Sequence, residues 1–222
     1  MFNQVSGLPV QACLREAFGL WGLPDGFKLD NGLPWGGWSD LPTALALWLA
    51  GLGIALHFIP VGHKQLNGVV ERSQGTGQRW CEPASCVTVA ELQRRLDEMD
   101  RIQREEYPSL QGQSRLAVFP QLVQPARLYT RAWEETHWDL GLAQQYLASH
   151  TAVRRANKRG QVSVYDHRYS VGAKNGGKAV VVYYDAGRGE WVFAEAESGE
   201  VWRRLAAWEI TRERIMSIQV SS

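Results

Sequence analysis

The chain has almost no net charge: 24 Lys and Arg stand against 23 Asp and Glu, leaving +1 at pH 7 over 222 residues. No global field marks it as a nucleic-acid or membrane binder, so a polyanion would need a local cluster of cations. Cysteine is scarce. Cys13, Cys81 and Cys86 argue against a disulfide framework and fit a reducing cytoplasm. Cys81 and Cys86 also lack the spacing and the second ligand pair of a zinc site. Residues 1–7 hold no basic residue and no apolar run, so no secretory signal is expected there. Residues 41–61 lack Asp, Glu, Lys and Arg altogether, which matches the length of about 20 residues that spans a bilayer. Pro42, Gly51, Gly53, His57 and Pro60 interrupt this run, and a helix followed by a buried strand accounts for the same letters.

What is present is ordinary globular composition, 45% hydrophobic and 21% charged, with room for one or two domains. Leu8-Pro9 opens a first helix, with Val10, Cys13, Leu14, Ala17, Phe18 and Trp21 on one face. Gly26-Phe27-Lys28-Leu29 reads as a strand ending on Asp30, and Asn31-Gly32 is turn chemistry directly after it. Leu45, Trp48, Leu49 and Leu52 recur at helical spacing until Gly51 and Gly53 break the helix. Residues 54–59 form a strand-like apolar run, and after a loop a helix from near Gln65 carries Glu71. Two carboxylates, one at a strand end and one on a helix, are suited to sharing a divalent metal that prefers oxygen ligands.

This ordered set resembles the catalytic core of DDE-type integrases and insertion-sequence transposases. It comprises Asp30-Asn31-Gly32, the strand entry Leu52-Gly53-Ile54, Ile59-Pro60, and Asn67-Gly68-Val69-Val70-Glu71-Arg72. The resemblance covers roughly the first half of the chain, with a weaker one over the last third. It implies an RNase H-like fold and metal-dependent DNA strand transfer. Asp30 would be the second acid and Glu71 the third, together holding Mg²⁺ or Mn²⁺, two ions per intact site. The first acid has no counterpart on a strand before Asp30, since Glu16 lies on the first helix and Asp25 in a turn. The expectation is therefore a core lacking its first strands, inactive by itself. Its Asp30 strand would have a bare edge, although parallel strands are normally paired and covered on both sides.

Thr88-Val89-Ala90-Glu91 is a capping box. The helix behind it places Val89, Leu92, Leu96, Met99 and Ile102 on one stripe, and Tyr107-Pro108 closes it. Residues 109–125 read as a linker, and one helix is expected over 133–147. Gly75 and Gly77 suggest a frayed end to the Glu71 helix, or a place where DNA approaches closely. Beyond residue 150, short β-rich runs alternate with glycine turns, which predicts a small barrel or sandwich. The runs Gly160-Gln161-Val162-Ser163, Tyr169-Ser170-Val171-Gly172 and Trp191-Val192-Phe193 are similar to the barrel that follows the core in retroviral integrases and phage Mu-type transposases.

The expected architecture is α/β plus β: a partial RNase H-like core over 1–108, a linker with a helix over 109–149, and a DNA-binding β-barrel over 150–222. Lys64 and Arg72 near the acids, and Arg154, Arg155, Lys158, Arg159 and Arg168 in the barrel, are the expected phosphate contacts. Lys174 and Lys178 extend that basic run, and Tyr165 and Tyr169 within it are suited to stacking or packing. His57, His63 and Arg79 surround the presumed site, where a solvated role competes with phosphate or metal contact. Expected partners are DNA, both element ends and target, and a second copy or a full-length transposase. Membrane association is not expected, and the location expected is the cytoplasm. One alternative is a non-catalytic DNA-binding remnant or regulator; another is a barrel that binds protein.

Overall fold

The computed structural model describes residues 6–36, 40–60, 62–63 and 68–220. The chain divides into two compact units, one made of Met1–Phe58 with Leu128–Ser222, the other of Ile59–Arg127.

In the first unit α1 (Gly7–Trp21) leads to β1 (Gly26–Leu29), α2 (Ala44–Gly51) and β2 (Ala55–Phe58). All eight residues of α2 are buried, as an apolar helix without a polar face requires. Thr43 starts the helix by accepting from the Ala46 N–H at 3.2 Å. β1 and β2 form a two-stranded parallel sheet in which Gly26 faces Ala55 and Leu29 faces Phe58. Within the charge-free run 41–61, residues 44–51 are thus a buried helix and residues 55–58 a strand. No helix among the described residues is long and apolar enough to cross a membrane. The sheet is covered on one side only: Phe27, Leu29, Leu56 and Phe58 turn inward, while Lys28, Ala55 and His57 are exposed.

The remainder of this unit comes from the far end of the chain. The single helix expected over 133–147 is two helices, α6 (Arg131–His137) and α7 (Leu140–Ala148). Asp139 separates them as the N-cap of α7, accepting from the Gly141 N–H at 2.6 Å. The strands β3 (Thr151–Arg155), β6 (Ala179–Asp185), β7 (Glu190–Glu195) and β8 (Val201–Ala206) make one antiparallel sheet in that spatial order. The strands β4 (Gln161–Val164) and β5 (His167–Ser170) form a separate hairpin, and α8 (Arg212–Met216) follows the sheet. The expected barrel is therefore corrected to an open sheet and a hairpin. β3 and β8 stand at opposite edges without pairing, and no ladder joins the hairpin to the sheet, so the ring that defines a barrel is not closed. Ala152, Val162, Val180, Val182 and Trp191 instead share one buried cluster with Leu45, Trp48 and Leu147. Residues 6–58 and the C-terminal sheet are in this way one core.

The second unit is helical. α3 (Gly68–Cys81) and α4 (Val89–Glu105) are its main elements, followed by the short α5 (Arg115–Val118). α3 continues through Gly75 and Gly77, so no frayed end occurs there. Thr88 caps α4 as expected, accepting from the Glu91 N–H at 3.1 Å. Arg95 ties α4 to the end of α3 by donating to the Cys81 carbonyl at 3.1 Å and to Ser85 Oγ at 2.9 Å. Of the predicted apolar stripe, Met99 is buried while Val89 is 84% exposed.

Candidate functional site

Asp30 stands directly after β1 and is exposed. Its Oδ1 accepts from the Gly32 N–H at 2.9 Å, the Asx turn that Asp-Asn-Gly favours. Glu71 lies in the first turn of α3 and is also exposed, where the helix dipole favours a carboxylate. Asp30 belongs to the first unit and Glu71 to the second. Both are oxygen donors of the kind Mg²⁺ takes. Among the described residues no group of three or more His, Cys, Asp and Glu is placed to hold a metal. His57 and His63 are exposed.

Among the expected phosphate contacts, Lys64 lies outside the described residues, and Arg72 is exposed on α3. The C-terminal basic residues divide into two groups. Arg154 is half-buried and meets Asp40 at 3.5 Å. Lys178 pairs with Glu195 at 3.0 Å and sits over the Trp202 ring at 5.5 Å. By contrast Arg155, Lys158, Arg159, Arg168 and Lys174 are exposed and make no ion pair among the described residues.

Local geometry presents Lys158 and Arg159. Asn157 Oδ1 accepts from the Arg159 and Gln161 N–H groups at 2.9 and 3.0 Å, folding the turn between β3 and β4. Gly160 ends it with a φ of +68°, and a Cβ there would meet the Gly172 carbonyl oxygen at 2.0 Å, so only glycine fits. Tyr165 and Tyr169 pack rather than offer rings to a ligand. Both are buried; Tyr165 donates to the Pro42 carbonyl at 2.6 Å and Tyr169 to Glu209 at 2.5 Å.

Two buried glutamates escape sequence reasoning. Glu134 on α6 has no exposed surface. It accepts from Arg15 Nη2 at 2.6 Å, Trp48 Nε1 at 2.9 Å and Arg131 Nη1 at 3.0 Å, and from the Tyr129 hydroxyl. Burial pushes this carboxyl up, and the Arg15, Tyr129 and Trp48 donors outweigh burial and hold it below the ordinary glutamate value. Burial, with the Glu134 carboxylate beside it, raises the Tyr129 phenol to about 12. Glu209 is equally buried, held by Tyr169 and by Trp191 Nε1 at 2.8 Å. Each glutamate thus holds one tryptophan and one tyrosine, the satisfaction that a buried carboxylate demands. Neither opens onto a surface, so both read as parts of the core.

No family model matches the chain.

Proposed function

We propose that the chain is a DNA-binding component of integrase or transposase type, with Asp30 and Glu71 as two of the carboxylates that hold the catalytic metal. One observation carries the reading. Strand β1 ends one residue before Asp30, a buried helix returns the chain to the parallel strand β2, and the next helix among the described residues carries Glu71 in its first turn. This is the order of elements that the Asp-Asn-Gly to Glu-Arg motif implies for an RNase H-like core.

The carboxylates act as ligands for Mg²⁺ or Mn²⁺, not as bases in their own right. When bound, the metal supplies activation of an attacking oxygen and stabilisation of the leaving one in phosphoryl transfer. Among the described residues β1 has one strand partner, β2. A third acid would have to be supplied by a further element, from this protein or a partner copy. Arg155, Lys158, Arg159, Arg168 and Lys174 neutralise phosphates along the duplex, and Arg72 does so beside Glu71.

A non-catalytic DNA-binding role is favoured by a different observation: the exposed cations of the turn and hairpin are held by Asn157, Gly160 and β5, without help from Asp30 or Glu71. One experiment tests the part common to both readings. Fluorescence anisotropy with a labelled duplex at rising salt should give steep loss of affinity. Changing Arg155, Lys158, Arg159 and Arg168 to Ala should flatten the log–log slope by roughly 0.9 for each phosphate contact removed. Absence of binding at low salt overturns both.

A further inference from the structure

The proposed function uses the surface cations and the two acids, and leaves unused a cavity of about 240 Å³ in the first unit that begins one residue past Asp30. Trp35 and Phe58 give it aromatic walls, and Asn31, Asp40, Tyr146 and His150 give it polar ones. It is smaller than the pockets that enclose drug-sized ligands and of the scale of one planar ring system.

Two of its polar groups are left over by the fold. His150 Nδ1 lies 2.9 Å from the Tyr146 carbonyl oxygen. A carbonyl only accepts, so Nδ1 carries the proton of the neutral ring and Nε2 is an acceptor. Neither His150 Nε2 nor the Tyr146 hydroxyl has a hydrogen-bond partner among the described residues. Burial raises the Tyr146 phenol, which keeps it a donor. The two rings are fixed edge to face at 4.8 Å. Both residues are half-buried, so donor and acceptor stand at the mouth of the cavity, open to a ligand. A cation is also near: Arg154, on the strand that carries the exposed Arg155, reaches Asp40 of the cavity at 3.5 Å.

We propose that this cavity takes one unpaired nucleobase of bound DNA, stacked against its aromatic wall and hydrogen-bonded by Tyr146 and His150. The proposal rests on the DNA reading above. Stacking of a free base on aromatic side chains tolerates any sequence, because every base has a π face. The donor–acceptor pair meets the edge of the base. A frayed or overhanging nucleotide seated there would hold the adjoining backbone beside Asp30, the place where strand transfer needs it.

The test compares a blunt duplex with the same duplex carrying one unpaired terminal nucleotide, and with an abasic residue in its place. The overhang should bind roughly tenfold tighter than the blunt end, and the abasic form should not. Trp35→Ala, and Tyr146→Phe combined with His150→Ala, should remove that gain and leave blunt-duplex affinity unchanged, with unchanged circular dichroism confirming the fold. Deoxyadenosine monophosphate alone, titrated while the His150 imidazole resonances are followed, should shift them in the parent chain and not in Trp35→Ala. If the blunt duplex binds but the base adds nothing and the imidazole does not move, the cavity proposal falls and the DNA reading stands. A gain that survives both variants overturns the location. If the duplex does not bind, the DNA reading falls, and a still imidazole removes the cavity proposal with it.

Discussion

Arg15 and Glu134 meet at 2.6 Å although 119 residues separate them. Their pairing draws α1 onto α6 and reaches through Trp48 into α2, the most deeply buried helix of the first unit. Gln11 completes it from one turn earlier, accepting from Arg15 Nη1 at 2.9 Å and donating to the Met216 carbonyl at 2.9 Å.

Glu134→Gln should cost about 3 kcal/mol, since it leaves the Arg15 charge partly buried without its counter-ion. Urea unfolding measures it. A loss below 1 kcal/mol, on the order of one ordinary hydrogen bond, would mean that the network contributes little beyond packing.

The same carboxyl sets an acid limit. Its folded value lies below the ordinary one, so the unfolded chain takes up the proton first as pH falls. The stabilisation is complete above about pH 4.3, the unfolded glutamate value, and is lost as pH falls through the lower folded value. Melting temperature followed through this window should decline less steeply in Glu134→Gln than in the parent chain. Parallel curves would assign the acid loss to other groups.

Gly160→Ala should destabilise by about 2 kcal/mol or more, combining a left-handed backbone with a clash against the Gly172 carbonyl. Gly199 has a similar φ of +72° with open space around it. Gly199→Ala should therefore cost only about 1 kcal/mol. Equal losses would show that the close approach at Gly160 is relieved by a small shift of the turn.

These features were legible to different degrees, for physical reasons. The strand before Asp30, the buried helix, the second strand and the capped α4 are fixed by signals within a few residues, and all are read correctly from the sequence. The break at Trp138-Asp139 carried a local cap signal too, and the apolar spacing of 133–147 obscured it. α1 misleads in another way. Its apolar spacing places Cys13 and Trp21 inward, yet both are exposed and Gln11 is buried, because the distant Glu134 recruits Gln11 through Arg15. Barrel closure failed for a similar reason. Alternation and glycine turns define strands, whereas pairing partners depend on contacts far along the chain. β3 was hidden because its Arg154-Arg155 ending reads as a charged surface. The cavity beside Asp30 joins residues 31–58 to residues 146–150, a juxtaposition that no local motif announces.

The most direct measurement for the central claim is a Mn²⁺ titration followed by paramagnetic broadening of amide resonances. If Asp30 and Glu71 share a metal ion, the amides around Asn31 and those around Arg72 broaden together at the same metal concentration. Asp30→Asn or Glu71→Gln then weakens the broadening at both places. Broadening at one site that ignores substitution of the other, or none at either, would contradict the shared site.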